Sequence, residues 1–297
     1  MEFGALEVGE GLGAVELALV ARSVGARLAE VPYVDTAAVR YAMDIDDASA
    51  SPCVTEPGRR FAPAEPATAL ENGRLSGEKT SVAFANVVDL LAVSAWASDG
   101  PVLALVRPAA ATIVAEPTLD PSVQPARVHF DSVELERVVA EAGVVEAVAA
   151  IGAVLASAEA VGAAATVLEL AREYATQRRQ FGHAIGGFQA VRHLLADMYV
   201  KVESSWSSVL YAAASLDEHE PDSPRTASIA KAYAARATLD VAHGALQVFG
   251  GIAFTEEHPA HRYLRRIVVR GGQFGSARDH ERILGRSLRP APEAVRT

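Results

Sequence analysis

The chain has 297 residues, half of them hydrophobic and 22% charged, which suits a protein with a sizeable core and argues against disorder. Its formal charge of -10 works against nucleic acid or an anionic membrane surface as a partner, because like charges repel. A single cysteine, Cys53, excludes an internal disulfide. The opening "MEFGALEVGEG" carries acids where a signal peptide carries bases, so a cytoplasmic protein is expected.

In chain order, "GAVELALVARSVGARLA" (13–29) repeats apolar positions at helical spacing and stops before Pro32. A short helix is expected around "DTAAVRYAM". From Pro52 to Leu135 short runs such as "VLALV" and "ARVHF" alternate with Gly, Pro, Asp and Asn, the vocabulary of strands and turns. Helical patterning resumes over 137–179, 188–217 and 224–249. In the second block Phe188, Val191, Leu195, Met198, Val202, Trp206 and Val209 form one apolar stripe. "DEHEPDSP" separates the second and third blocks, since Pro221 and Pro224 cannot continue a helix. A last helix is expected after Ser276. The apolar stretch "VVEAVAAIGAVLASAEAVGAAATVLELA" contains Glu146 and Glu159 and reads as buried core rather than a membrane span. The expected fold is α+β and multi-domain, with helices over 1–51, a β domain over 52–135 and a helical bundle over 136–297.

Several signals carry little. "GEGLG" has neither the spacing nor the preceding strand of a dinucleotide fingerprint and reads as a loop entering a helix. His258 and His261 have no further ligands around them, so no metal site is expected. Cys53 reads as packing.

Three stretches together, "YATQRRQFGHAIGGFQAVRHLLADM" (174–198), "ASIAKAYA" (227–234) and "QVFGGIAFTEEHPAHRYLRR" (247–266), resemble the C-terminal domain of acyl-CoA dehydrogenases. "CVTEPG" (53–58), "LENGRLSGEKT" (70–80) and "VHFDSVEL" (128–135) look like the β domain of that family. The resemblance implies a barrel-like middle domain, a C-terminal four-helix bundle and a truncated N-terminal helical part. It also implies FAD lying across a subunit interface, with its adenosine-pyrophosphate end reaching into the neighbouring subunit.

For that adenosine end the resemblance names Arg178 at the pyrophosphate, Phe181 near the adenine, Gln180 as a polar contact and Gln189 near the base. Gln247 with the Gly250-Gly251 pair would bring backbone N–H groups close to phosphate. Each has a plainer reading: a solvated helix end for Arg178, a core ring for Phe181, a helix stop for the glycines.

At the flavin end the chain departs from the family. "RRFAPAEPAT" replaces a small Gly, Ser and Asp turn. Ser81 and Ala83 stand where the family has a tryptophan on the flavin and a threonine at its N5 region. Removing an α proton from a thioester as a β hydride leaves requires a positioned carboxylate of raised pKa. The family places it before a Gly-Thr pair, which maps to Phe274, or on the first bundle helix, which maps to Gly152. Neither can take a proton. Glu159, Glu256 and Glu257 are other acids in the region, each with a structural reading. Ala253 and Arg266 also differ, the latter standing where an aspartate commonly follows arginine.

The asymmetry implies a non-catalytic subunit of a heterotetrameric, α2β2 acyl-CoA dehydrogenase. It would share FAD with a catalytic partner that binds most of the acyl-CoA and produces the trans-2-enoyl-CoA, with bulky steroid side-chain thioesters as one substrate class. Two other readings stay open: a homomeric dehydrogenase with a displaced base, and a non-enzymatic scaffold.

Overall fold

The computed structural model describes residues 12–45 and 47–288. "GEGLG" falls partly outside them. Within them Gly13 caps α1 (Ala14–Arg27), which ends at Leu28 in the left-handed region, and α2 (Tyr33–Ala42) follows. Asp217 caps α1 from a distance, accepting from the N–H groups of Ala14 at 2.6 Å and Val15 at 3.1 Å, where a carboxylate meets the positive helix end.

The β region contains β1 (Ala50–Cys53), β2 (Ala69–Glu71), β3 (Arg74–Ala83), β4 (Leu90–Ala97), β5 (Gly100–Val106), β6 (Thr112–Ala115), β7 (Pro125–Glu134) and β8 (Arg137–Val139). They form one sheet in the order β6-β7-β3-β2-β4-β5-β8, with β1 pairing β4 in parallel. Asn72-Gly73, both at positive φ, make the two-residue turn that folds β3 back on β2. Along β7 the side chains of Ala126, Val128 and Phe130 alternate into the sheet core, as a period of two requires.

Residues 137–139 differ from expectation. Sequence periodicity places them in a helix, but Arg137, Val138 and Val139 pair with Leu105, Ala104 and Leu103 of β5, so the strand partner decides the local structure. The helix begins only after Gly143, whose φ of 84° no β-branched residue would tolerate.

The remaining helices are α3 (Val144–Gln177), α4 (Gln189–Asp217), α5 (Ser223–Phe249), α6 (Ala260–Gly272) and α7 (Ala277–Ser287); between α3 and α4 sits the small hairpin β9 (Arg179–Gln180) and β10 (His183–Ala184). α3 is apolar around most of its circumference because it is the central helix. It is long and apolar enough to cross a membrane, but 83% of its most apolar window is buried in this fold. α1 lies against α3 at backbone distance. A Cβ on Gly25 would sit 1.9 Å from the Glu159 carbonyl oxygen, and one on Gly162 1.9 Å from that of Arg22. These two glycines give up helix propensity for that approach.

Candidate functional site

The antiparallel run of α3, α4 and α5 brings the C-terminus of α3, the N-terminus of α4 and the C-terminus of α5 to one end of the bundle. Tyr174 and Phe249 pack edge to face there at 5.4 Å. Arg178 caps α3 and is exposed, with no ion-pair partner among the described residues. Beyond it Phe181 and Gly182, with φ of 51° and 83°, form the two-residue turn joining β9 to β10. That turn leaves Phe181 89% exposed, with its ring edge to face against Phe188 at a centroid distance of 6.3 Å.

Gln180, Gln189, Gln247, Gly250 and Gly251 are exposed as well. Gly250 ends α5 at φ 67°, ψ -145°, a region essentially closed to other residues, and open space lies where its Cβ would be. The core reading of Phe181 is therefore wrong for this chain, because a hairpin tip has nothing to bury its ring against. An exposed guanidinium, an exposed aromatic ring and an uncovered glycine turn together suit a planar base and a pyrophosphate. His258 packs on Phe249 at 4.3 Å and accepts from the Ala260 N–H, a turn-forming role.

The two base positions meet in space. Phe274, 2% exposed and at φ 55°, lays its ring on Gly152 so closely that a Cβ there would stand 2.3 Å from the ring. A glutamate side chain at 152 has no room while phenylalanine occupies 274. Gly275, at φ 94°, is closed in by Phe61 and by His280, each within 2.8 Å of where its Cβ would be. Nε2 of His280 donates to the Phe274 carbonyl at 2.8 Å, while Nδ1 is buried without a partner. Burial pushes this imidazole down to about 4, against the opposing pull of the Phe274 carbonyl.

Phe61 reaches this place because Glu56 anchors its loop. The Glu56 carboxylate accepts from the N–H groups of Ala67 and Thr68 and from Lys79 Nζ at 2.9 Å. Burial opposes the charge, but Lys79 and the two N–H groups outweigh it and bring Glu56 to about 2. Bulk and charge thus replace a tight turn, held in place by an ion pair.

Glu159 is buried and salt-bridged to two arginines, at 2.6 Å from Arg266 Nη1 and 2.9 Å from Arg270 Nε. Arg266 also reaches Asp120 at 2.6 Å and the Ser122 hydroxyl at 2.6 Å. Asp35 lies 3.5 Å from Arg270 and accepts from Gln273 at 2.6 Å. Two fixed guanidiniums hold the Glu159 carboxylate inside this network, the arrangement of a structural ion. Glu256 and Glu257 are exposed on the turn after the glycine pair. Sequence reasoning missed Asp35, Asp120 and Arg270 because they come from separate parts of the chain. Arg266 at an unusual place was the signal that pointed to them.

Ser81 and Ala83 line a cleft of about 460 Å³ between β3 and α6, with Thr55, Glu116 and Gln273 also in its wall. Glu116 accepts from the Thr80 hydroxyl at 2.6 Å and from the Ser81 N–H at 2.7 Å. Burial works against its charge, yet these donors and Arg127 hold the carboxyl below its usual range. A fixed anion that occupies the strand's donors fits a flavin ring poorly. Nothing in the composition marked Glu116 in advance. Cys53 is fully buried and its thiol is pushed up to about 12 by burial, in keeping with packing.

The fold and this arrangement define an acyl-CoA dehydrogenase-like protein. Residues 143–288 match the family model of the acyl-CoA dehydrogenase C-terminal domain, and the chain belongs to the acyl-CoA dehydrogenase family. It is similar to acyl-CoA dehydrogenase FadE27 of Mycobacterium tuberculosis, 28% identical over 96% of this chain and 83% of that protein. The match to the probable acyl-CoA dehydrogenase FadE25 of the same organism is 35% identical over 42% of this chain, and spans only 32% of FadE25. Among solved structures, the Tcur3481-Tcur3483 steroid ACAD G363A variant superimposes with a TM-score of 0.86 at 25% identity, over 92% of this chain and 80% of that one. The ChsE4-ChsE5 complex from Mycobacterium tuberculosis gives 0.85 at 25% identity, over 95% and 83%.

Proposed function

We propose that this chain is the non-catalytic subunit of a heteromeric acyl-CoA dehydrogenase. It contributes the adenosine-pyrophosphate half of an FAD site to a catalytic partner. The observation that carries this reading is the packing of Phe274 on Gly152, which fills both base positions with each other, while the residues for the adenosine end stand uncovered at one end of the bundle. Arg178 would hold the pyrophosphate, Gly250-Gly251 would let backbone N–H groups approach it, and Phe181 and Gln189 would meet the adenine. When bound, FAD supplies hydride acceptance in the partner's active site. Base, flavin contacts and acyl pocket come from that partner, and the product is the trans-2-enoyl-CoA. Two structural neighbours, named as a steroid ACAD and a two-component complex, support a heteromeric assembly, which we take to be α2β2 and to act on a bulky CoA thioester.

The test is co-expression with candidate companion chains. Arg178→Ala and Gln247→Ala are expected to strip FAD from the complex while leaving this chain folded by circular dichroism. Unchanged FAD occupancy in both variants contradicts the shared site and favours a scaffold.

A further inference from the structure

A second basic site lies apart from every residue named above for the cofactor. A cleft of about 240 Å³ opens between the end of α1, the turn at 120–122 and α6, and none of Arg178, Phe181, Gln189, Gln247 or Gly250 lines it. Its floor is Arg266, 1% exposed and held rigid by Asp120, Glu159 and Ser122. At its mouth stand Arg262 and Arg265, which both line it; Arg262 shares a face of α6 with Arg266, four residues on, and with Arg265, three residues on. Both are exposed, and neither has an ion-pair partner among the described residues, in a chain of net charge -10.

Two carboxylates also line the cleft. Asp120 is engaged by Arg266 and by Ser122, and burial notwithstanding, those partners keep it ionised. Glu30 has no ion-pair partner among the described residues and stands against any incoming anion. We propose that this cleft binds a phosphate dianion, with Arg262 and Arg265 as the two mobile forks over a pre-set Arg266 floor. The volume falls below the roughly 300–1,000 Å³ of sites that enclose a whole small molecule, so the dianion itself, free or as the end of a larger ligand, is what is recognised.

The experiment is calorimetric titration of the full chain with inorganic phosphate at low ionic strength, where exposed charges are least screened. The expected result is a binding event that is weakened about tenfold or more in the Arg262→Ala/Arg265→Ala double variant, distinct from any phosphate held at Arg178. Glu30→Gln should tighten this event several-fold, and Arg178→Ala, which removes the other phosphate-facing arginine, should leave this event in place. Equal binding of adenosine 3′-phosphate means that the dianion alone is read, whereas tighter binding of the nucleotide means that a larger ligand ends there. No phosphate binding overturns the proposal, as does binding that is lost in Arg178→Ala and kept in the double variant. The exposed arginines leave folding intact when replaced, and Glu30→Gln gives an independent readout of opposite sign.

Discussion

Phe274 and Gly152 act as one unit. Adding a methyl group at 152 drives the ring from its place, so Gly152→Ala is expected to destabilise the chain by about 1–3 kcal/mol. Phe274→Leu in the same chain should recover part of that loss, and a double-mutant cycle by urea unfolding measures the coupling. His280, below them, gives a pH signature. Its ring stays neutral in the fold down to about pH 4 and takes a proton near 6.5 when unfolded. The stability it confers is therefore complete above 6.5 and is lost as pH falls from 6.5 to 4, about 3 kcal/mol by the linkage relation. His280→Gln should flatten the stability profile in that window. The loss of the carboxylate at 274 was legible in the sequence from the "GGQFGS" register. That Phe274 fills the space above Gly152 was not, since no local pattern reports a contact between residues so far apart in the chain.

At the scale of elements, the buried ions join α3 and α6 to the β region through Asp120 and to α2 through Asp35. Removing Glu159 leaves the buried Arg266 and Arg270 with Asp120 and Asp35 as their remaining counter-charges. Glu159→Ala should therefore cost about 3–5 kcal/mol, read as a lower urea midpoint. An unchanged urea midpoint would contradict this structural role. The hairpin over 179–184 makes a different point. Its turn depends on two residues at positive φ, one of them Phe181, a conformation that costs a bulky side chain about 1–2 kcal/mol. The long helices were legible from their apolar spacing, and so was the strand-and-turn texture of the middle. Residues 137–139 were not, because pairing with β5 outweighed a helix-compatible pattern. The exposure of Phe181 was equally hidden, since a ring looks like core until its backbone is known to turn.

Across the whole molecule the ends of three helices present a polar and aromatic surface at one pole of the bundle. The interior beside α6 is closed by Phe274, Phe61 and a network of ions. Lys231, buried and pushed down to about 7, adds to the behaviour of His280. It stays protonated in the unfolded chain up to about 10.5, so stability also rises with pH between 7 and 10.5. Thermal unfolding should consequently give a lower Tm at pH 5 than at pH 8. Under the proposed function this chain takes part in chemistry only beside a catalytic subunit. The most direct test is the flavin absorbance and native mass of this chain expressed alone and with a companion subunit. No flavin is expected on the chain alone, and a yellow heteromeric complex with one FAD for each pair of unlike subunits is expected from the mixture. A yellow homomer carrying one FAD per chain would contradict the proposed function.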